Sequence, residues 1–202
     1  MKRLLFFTVV TFLLSSVSSN ANPYKVGDYA SDFSLKDVNG KIISLSQHKD
    51  AKGFIVVFMC NTCPVVKKYR QRIIDLNTEY SGKGYPVVAI NSNDSKVSPG
   101  DSYEDMKALA KSLDFKFDYL YDKTQNVAHA FGATNTPHVY VLAKKGDKFK
   151  VEYAGAIDNN ADDAAMADKH YVQDAVNALL NNQKVPVPGT KAIGCGIKWK
   201  KD

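Results

Sequence analysis

Two periodicities alternate along this chain. Residues from Phe54 to Met59 form a continuous apolar run of Ile, Val and Phe, short enough for a strand buried on both faces. From Pro64 to about Tyr80 the positions Val65, Val66, Tyr69, Ile73, Leu76 and Tyr80 fall on a helical stripe, which Ser81-Gly82-Lys83-Gly84 ends. Pro86 to Ile90 predicts a second buried strand, followed by a polar loop from Asn91 to Asp101 and a helix from about Ser102 to Leu113. A short strand at Tyr119 to Tyr121, a short helix from Thr124 to Phe131 and a hairpin turning at Gly146-Asp147 come next. A last helix runs from Lys169 to Asn181, and the prolines at 186 and 188 force the tail beyond it to run extended, carrying Cys195 back across the body. Upstream, Asn39-Gly40 between alternating apolar residues marks a hairpin turn. The expected fold class is α/β: a central mixed sheet covered by helices on both faces, with an N-terminal β-hairpin and an extended C-terminal tail.

The first residues bear on compartment. Lys2 and Arg3 precede an apolar run from Leu4 to Leu14 and a small-residue stretch ending Ser19-Asn20-Ala21. That composition predicts a signal peptide over residues 1–21, cleaved after about Ala21. The run is shorter than the roughly 20 residues that span a bilayer. No cysteine follows the cleavage point to take a lipid anchor. The expectation is a soluble exported protein, with residues 22–202 as one domain, a length that buries an adequate core without covalent staples.

Of the formal charge of +6, two positive charges leave with the signal. The remaining lysines are interspersed with acids rather than gathered into a stripe, which excludes a nucleic-acid surface and fits a solvated one. Three cysteines, Cys60, Cys63 and Cys195, are too few and odd in number for a disulfide framework. At least one thiol is left for other work.

Cys60 falls just after a predicted strand and just before a predicted helix, where unpaired N–H groups of the first turn stabilise a thiolate. Cys63 follows at a spacing that allows a small disulfide ring, and Pro64 sets the start of the helix. The arrangement suits thiol-disulfide exchange, with an exposed nucleophile of low pKa at Cys60 and a sheltered resolving thiol at Cys63. An inert disulfide and half of a metal site are the competing readings.

With these residues the chain resembles the thioredoxin superfamily, and more narrowly its peroxiredoxin-like or redoxin (AhpC/TSA-like) branch, with a Cys-x-x-Cys-Pro site. The likeness runs from about Tyr24 to Trp199. It rests on Gly27 to Leu35, Phe58-Met59-Cys60-Asn61-Thr62-Cys63-Pro64, Ile90 to Asp94, Tyr119 to Asp122, Thr136-Pro137, Gly155 to Asp158 and the tail Gly194 to Trp199. The resemblance implies that Pro137 is a cis proline packed opposite the active cysteines and that Thr136 offers backbone hydrogen bonds to a bound thiol substrate. Two departures stand out. The buried acid that many thioredoxins carry six residues before the first cysteine is Phe54 here. Val56 and Cys60 occupy the places of the peroxiredoxin proline and threonine, which argues against efficient peroxidase activity.

The reading that results is an exported, periplasmic thiol-disulfide oxidoreductase that uses Cys60 and Cys63 for chemistry and Thr136 and Pro137 for substrate binding. It needs no cofactor. Its partners are protein or small-molecule thiols and disulfides, with a membrane thiol-electron donor as a further candidate, and it is a monomer or weak dimer. Cys195 is either a small buried hydrophobe anchoring the tail beside Ile193, Ile197 and Trp199 or an additional redox thiol. The alternatives are a thiol peroxidase and a copper-binding assembly protein using Cys60, Cys63 and His138, since thiolate and imidazole suit copper. His129 is placed on a short helix, and His48 and His170 at polar ends. Residues 158–163 are acidic but lack calcium-loop spacing and read as a solvated loop.

Overall fold

A computed structural model describes residues 22–201. The predicted signal segment, residues 1–21, lies outside the described residues. In chain order the regular elements are β1 (Tyr29–Ala30), β2 (Ser34–Asp37), β3 (Ile42–Ser44), β4 (Gly53–Phe58), α1 (Pro64–Tyr80), β5 (Val87–Asn91) and α2 (Tyr103–Ser112). They continue with β6 (Asp118–Tyr121), α3 (Asn126–Phe131), β7 (Asn135–Thr136), β8 (His138–Lys145), β9 (Lys148–Gly155), α4 (Tyr171–Leu180) and β10 (Cys195–Gly196). Eight strands form one mixed sheet in the order β1-β9-β8-β4-β5-β6-β2-β3, and β10 pairs with β7 in a separate two-stranded ribbon. Only β4, β5 and β6 are mutually parallel; their crossovers are α1 and α2.

The apolar run that predicts β4 is buried along its whole length because it has a layer on each side. Ile55 and Val57 face the cluster built from α1, α2 and α4, whereas Phe54, Val56 and Phe58 face α3 and the N-terminal segments. The stripe on α1 behaves as its periodicity requires, burying Val66, Tyr69, Ile73, Leu76 and Tyr80. The aliphatic side chains among them, Val66, Ile73 and Leu76, each contribute roughly 1.5–3 kcal/mol. Pro64 opens the helix without wasting an N–H donor. A short 3-10 turn after Tyr80 is then stopped by Gly84, whose φ of +93° suits a residue without a Cβ. Asn77 locks the helix to the sheet, donating to the Lys116 carbonyl and accepting from the Val87 N–H.

Two features depart from the sequence reading. The two-residue strands β1, β7 and β10 are too short to leave a periodic signal, and they form because longer partners or neighbouring backbone present open edges. Residues 158–163 are not wholly solvated. Asp158 is buried, accepting from the Tyr69 hydroxyl at 2.8 Å and from Arg72 at 2.5 Å.

The tail runs extended past its prolines. Thr190 fastens it to β9: its N–H donates to the Ala154 carbonyl and its hydroxyl accepts from the Ala156 N–H. After β10, Ile197 is buried and Trp199 stacks on His129 at a centroid separation of 4.3 Å. The Lys198 N–H donates to Asn93, and its carbonyl accepts from the Asp94 N–H and from Gln125.

Candidate functional site

Cys60 sits two residues past the end of β4, and Cys63 is the residue that caps α1, so the strand and the helix set the positions of the two sulfurs. Opposite them runs β7. Its Thr136 is joined to Pro137 by a cis peptide bond, as the resemblance implies. The Cys60 Sγ lies 3.3 Å from the Thr136 hydroxyl, and the Cys63 Sγ lies 3.2 Å from the Thr136 carbonyl oxygen. All three side chains are buried.

The expected closure between Cys60 and Cys63 is not the bond found. Cys63 is joined to Cys195 and Cys60 is a free thiol. Because Cys63 has no proton in this state, its approach to the Thr136 carbonyl is a close contact and not a donated hydrogen bond. The tail delivers the third sulfur: Cys195 pairs with Thr136 and Gly196 with Asn135 across the ribbon.

Cys60 is also neither exposed nor acidified here. Burial beneath the surrounding side chains pushes its pKa above the ordinary value, and the charge of Asp101 pushes it further up. Hydrogen bonds from the Thr136 hydroxyl, the Cys63 N–H and Thr62 oppose the shift without reversing it. Of the backbone N–H groups, that of Cys63 faces the Cys60 sulfur. Those of Asn61 and Thr62, in the turn ahead of α1, donate to one carboxylate oxygen of Asp101, at 2.6 and 3.2 Å.

Asp101 is the residue that sequence reasoning missed. It is fully buried at the far end of the loop after β5. Besides the two backbone donors it accepts from the hydroxyls of Thr62 at 2.8 Å and Ser98 at 2.6 Å, and from the Asn93 amide at 2.8 Å. Three of these five donors come from the Cys60–Cys63 loop and two from the loop after β5, so one anion ties the two loops together, each charge-assisted bond stronger than a neutral one. Arg70 closes the loop from the other side through the Asn61 carbonyl at 2.6 Å, and the Tyr119 hydroxyl holds the Asn61 side chain at 2.8 Å. A usable signal was the cluster of Asn91, Ser92, Asn93 and Asp94 at the carboxyl end of a parallel strand, where sites of α/β sheets gather.

The other candidates fall elsewhere. His138 starts β8 with its Nδ1 3.5 Å from the Tyr140 hydroxyl, and burial lowers its pKa to about 4. Among the described residues no group of three or more His, Cys, Asp or Glu side chains is arranged to hold a metal ion. Cys63 is bonded to Cys195, and His138 packs on Tyr140 with ring centroids 4.6 Å apart. Phe54 is core on the sheet face opposite to the cysteines. No helix among the described residues is long and apolar enough to cross a membrane.

This architecture is the thioredoxin-like one, a mixed sheet flanked by helices. The chain belongs to the AhpC/TSA family, whose model matches residues 26–153. It is 24% identical to the thiol-disulfide oxidoreductase ResA of Halalkalibacterium halodurans, the match covering 65% of this chain and 70% of that protein. Among solved structures, an uncharacterized conserved protein from Geobacillus kaustophilus is 36% identical with a TM-score of 0.81, covering 90% of this chain and 95% of that one. A hypothetical protein from Sinorhizobium meliloti is 32% identical, also at a TM-score of 0.81, with 90% and 98% covered. The family match stops short of the tail, so Cys195 belongs to the part of the chain beyond it.

Proposed function

We propose that the protein is an exported thiol-disulfide oxidoreductase acting on protein or small-molecule thiols and disulfides. The observation that carries this reading is the convergence of Cys60, Cys63 and Cys195 on Thr136, beside cis-Pro137. In the reduced protein the Cys60 thiolate attacks a substrate disulfide and forms a mixed disulfide, releasing one substrate thiolate. Cys63 then attacks Cys60, forming the internal bond and releasing the second thiolate, so two electrons pass from enzyme to substrate. The reverse sequence oxidises a substrate dithiol. Thr136 and Pro137 present the edge against which the substrate lies, and Asp101 holds the Cys60–Cys63 loop in shape. Cys195 serves as an additional redox thiol, since it already shares a disulfide with Cys63.

Relatives named thiol-disulfide oxidoreductase and the thioredoxin-like fold support the chemistry. Export rests on the sequence of residues 1–21 alone, and a periplasmic setting with a membrane thiol-electron donor follows as part of the same proposal. The peroxidase reading is weaker, because the places of its proline and threonine are held by the core residue Val56 and by Cys60.

The test is equilibration of the protein and its Cys195→Ser variant in graded glutathione redox buffers, with thiol trapping and mass spectrometry. The variant is expected to close a Cys60–Cys63 disulfide reversibly. A potential near about −270 mV would mark a reductant and one near about −120 mV an oxidant. A pair that never closes reversibly would overturn the proposal.

A further inference from the structure

The tail does more than bring a third sulfur to the site. Residues 194–197 lie along the Thr134–Thr136 segment as a strand would. Cys195 and Gly196 pair antiparallel with Thr136 and Asn135, and the Ile197 N–H donates to the Thr134 carbonyl at 2.9 Å. The Asn135 amide also donates to the Gly194 carbonyl at 3.0 Å. Gly194 approaches so closely that a Cβ there would stand 2.0 Å from the Thr136 carbonyl oxygen. This edge is the one the proposed function assigns to substrate, and an extended peptide adding itself to such an edge gains the same backbone bonds.

We propose that residues 191–196 form a strap that occupies the protein's own substrate edge as an intramolecular stand-in for a cysteine-bearing peptide, latched by the Cys63–Cys195 disulfide and released by Cys60. The inference rests on the oxidoreductase reading. The strap is held at both ends independently of the sulfur. Thr190 is bonded to Ala154 and Ala156 upstream, and Lys198 to Asn93, Asp94 and Gln125 downstream, with Trp199 stacked on His129. Opening the disulfide therefore frees a short bridge and leaves the tail attached.

Release needs no outside oxidant or reductant. The Cys60 thiolate attacks the Cys63 sulfur; the Cys60–Cys63 bond forms as the Cys63–Cys195 bond breaks. Cys195 leaves as a thiolate and takes up a proton equivalent to the one Cys60 gave up. Both oxidised forms hold the same number of electrons, so they are isomers. In one the edge is covered and Cys60 is buried and protonated; in the other Cys195 is free and the edge can accept a peptide. The strap's backbone pairing sets the balance between them, because it places Cys195 against Cys63.

The test is disulfide mapping of the oxidised full chain, quenched in acid, in the wild type, Gly194→Ala, Asn135→Ala and Cys195→Ser. Gly194→Ala inserts a methyl group where no space exists and is expected to raise the ratio of Cys60–Cys63 to Cys63–Cys195 at least tenfold. Asn135→Ala removes one hydrogen bond to the strap, leaves backbone space unchanged, and is expected to shift the ratio the same way by a few-fold. If both variants keep the wild-type ratio while Cys195→Ser closes Cys60–Cys63 reversibly, the strap is overturned and the oxidoreductase reading stands. If Cys195→Ser never closes that pair, both fall.

Discussion

Two buried aspartates flank the N-terminal half of α1, and they are stabilised in opposite ways. Asp158 is ion-paired: Arg72 reaches it at 2.5 Å and Tyr69 adds a hydroxyl donor, while the same guanidinium also donates to the carbonyls of Asn160 and Ala161. Asp101 has no cation within ion-pair distance among the described residues and is held only by dipoles, two backbone N–H groups, two hydroxyls and an amide. A paired charge has most of its field cancelled at short range, whereas a charge solvated by dipoles keeps a net field on its neighbours. Asp158 therefore serves the architecture, joining α1 to the segment after β9. Asp101 serves the site, since its charge bears on Cys60 and raises its pKa.

Removing the partner of the paired aspartate is expected to have the largest effect on stability. Arg72→Ala leaves Asp158 buried without its cation, and equilibrium denaturation should record a loss of about 3–5 kcal/mol. The pH profile of Cys60 alkylation should stay where it is, and a change there would break the distinction between the two anions. Next comes Asp101→Asn, which presents an amide NH2 to groups that are all donors. A loss of about 1–3 kcal/mol is expected. Removing the negative charge should also move the alkylation profile of Cys60 to lower pH, measured on the oxidised protein against iodoacetamide. A profile that does not move would mean the charge of Asp101 does not reach the thiol.

The pH dependence of stability sharpens the same contrast with a group that has no charged partner. His138 has its pKa lowered to about 4 by burial alone, so the unfolded chain binds a proton more readily than the folded one. Stability from this residue is present above the unfolded value near 6.5 and is lost as pH falls from there through about 4. After allowance for its partial exposure, the expected contribution is about 1–2 kcal/mol, and His138→Phe should flatten the denaturation midpoint between pH 6.5 and 4 by that amount. Cys60 has the opposite sign of shift. Its folded pKa is raised, so the stability it contributes is present below the unfolded thiol pKa and declines as pH rises through the folded value.

Long elements were legible in the sequence because their period is set by burial. The buried strand at Phe54, the helix from Pro64 to Tyr80 and the hairpin at Gly146-Asp147 all lie where the apolar pattern puts them. The chain order of strands and helices was enough to specify a mixed sheet. Pairings across long sequence distances were not legible. Nothing local to Cys195 says that it lies against Thr136, since that depends on where a proline-stiffened tail of some fifteen residues lands. The low pKa expected of Cys60 is not found for a related reason: the thiol lies three residues ahead of the cap of α1, where burial and then the charge of Asp101, distant in sequence, raise its pKa.

The proposed function makes Cys60 the attacking thiol. The most direct measurement of that role is trapping with a Cys63→Ser variant, in which the resolving sulfur is gone while both Cys60 and Cys195 are free to react. Incubated with a disulfide-bonded substrate peptide and mapped without reduction, this variant is expected to accumulate a mixed disulfide on Cys60. Accumulation on Cys195 with Cys60 left unmodified would contradict that role.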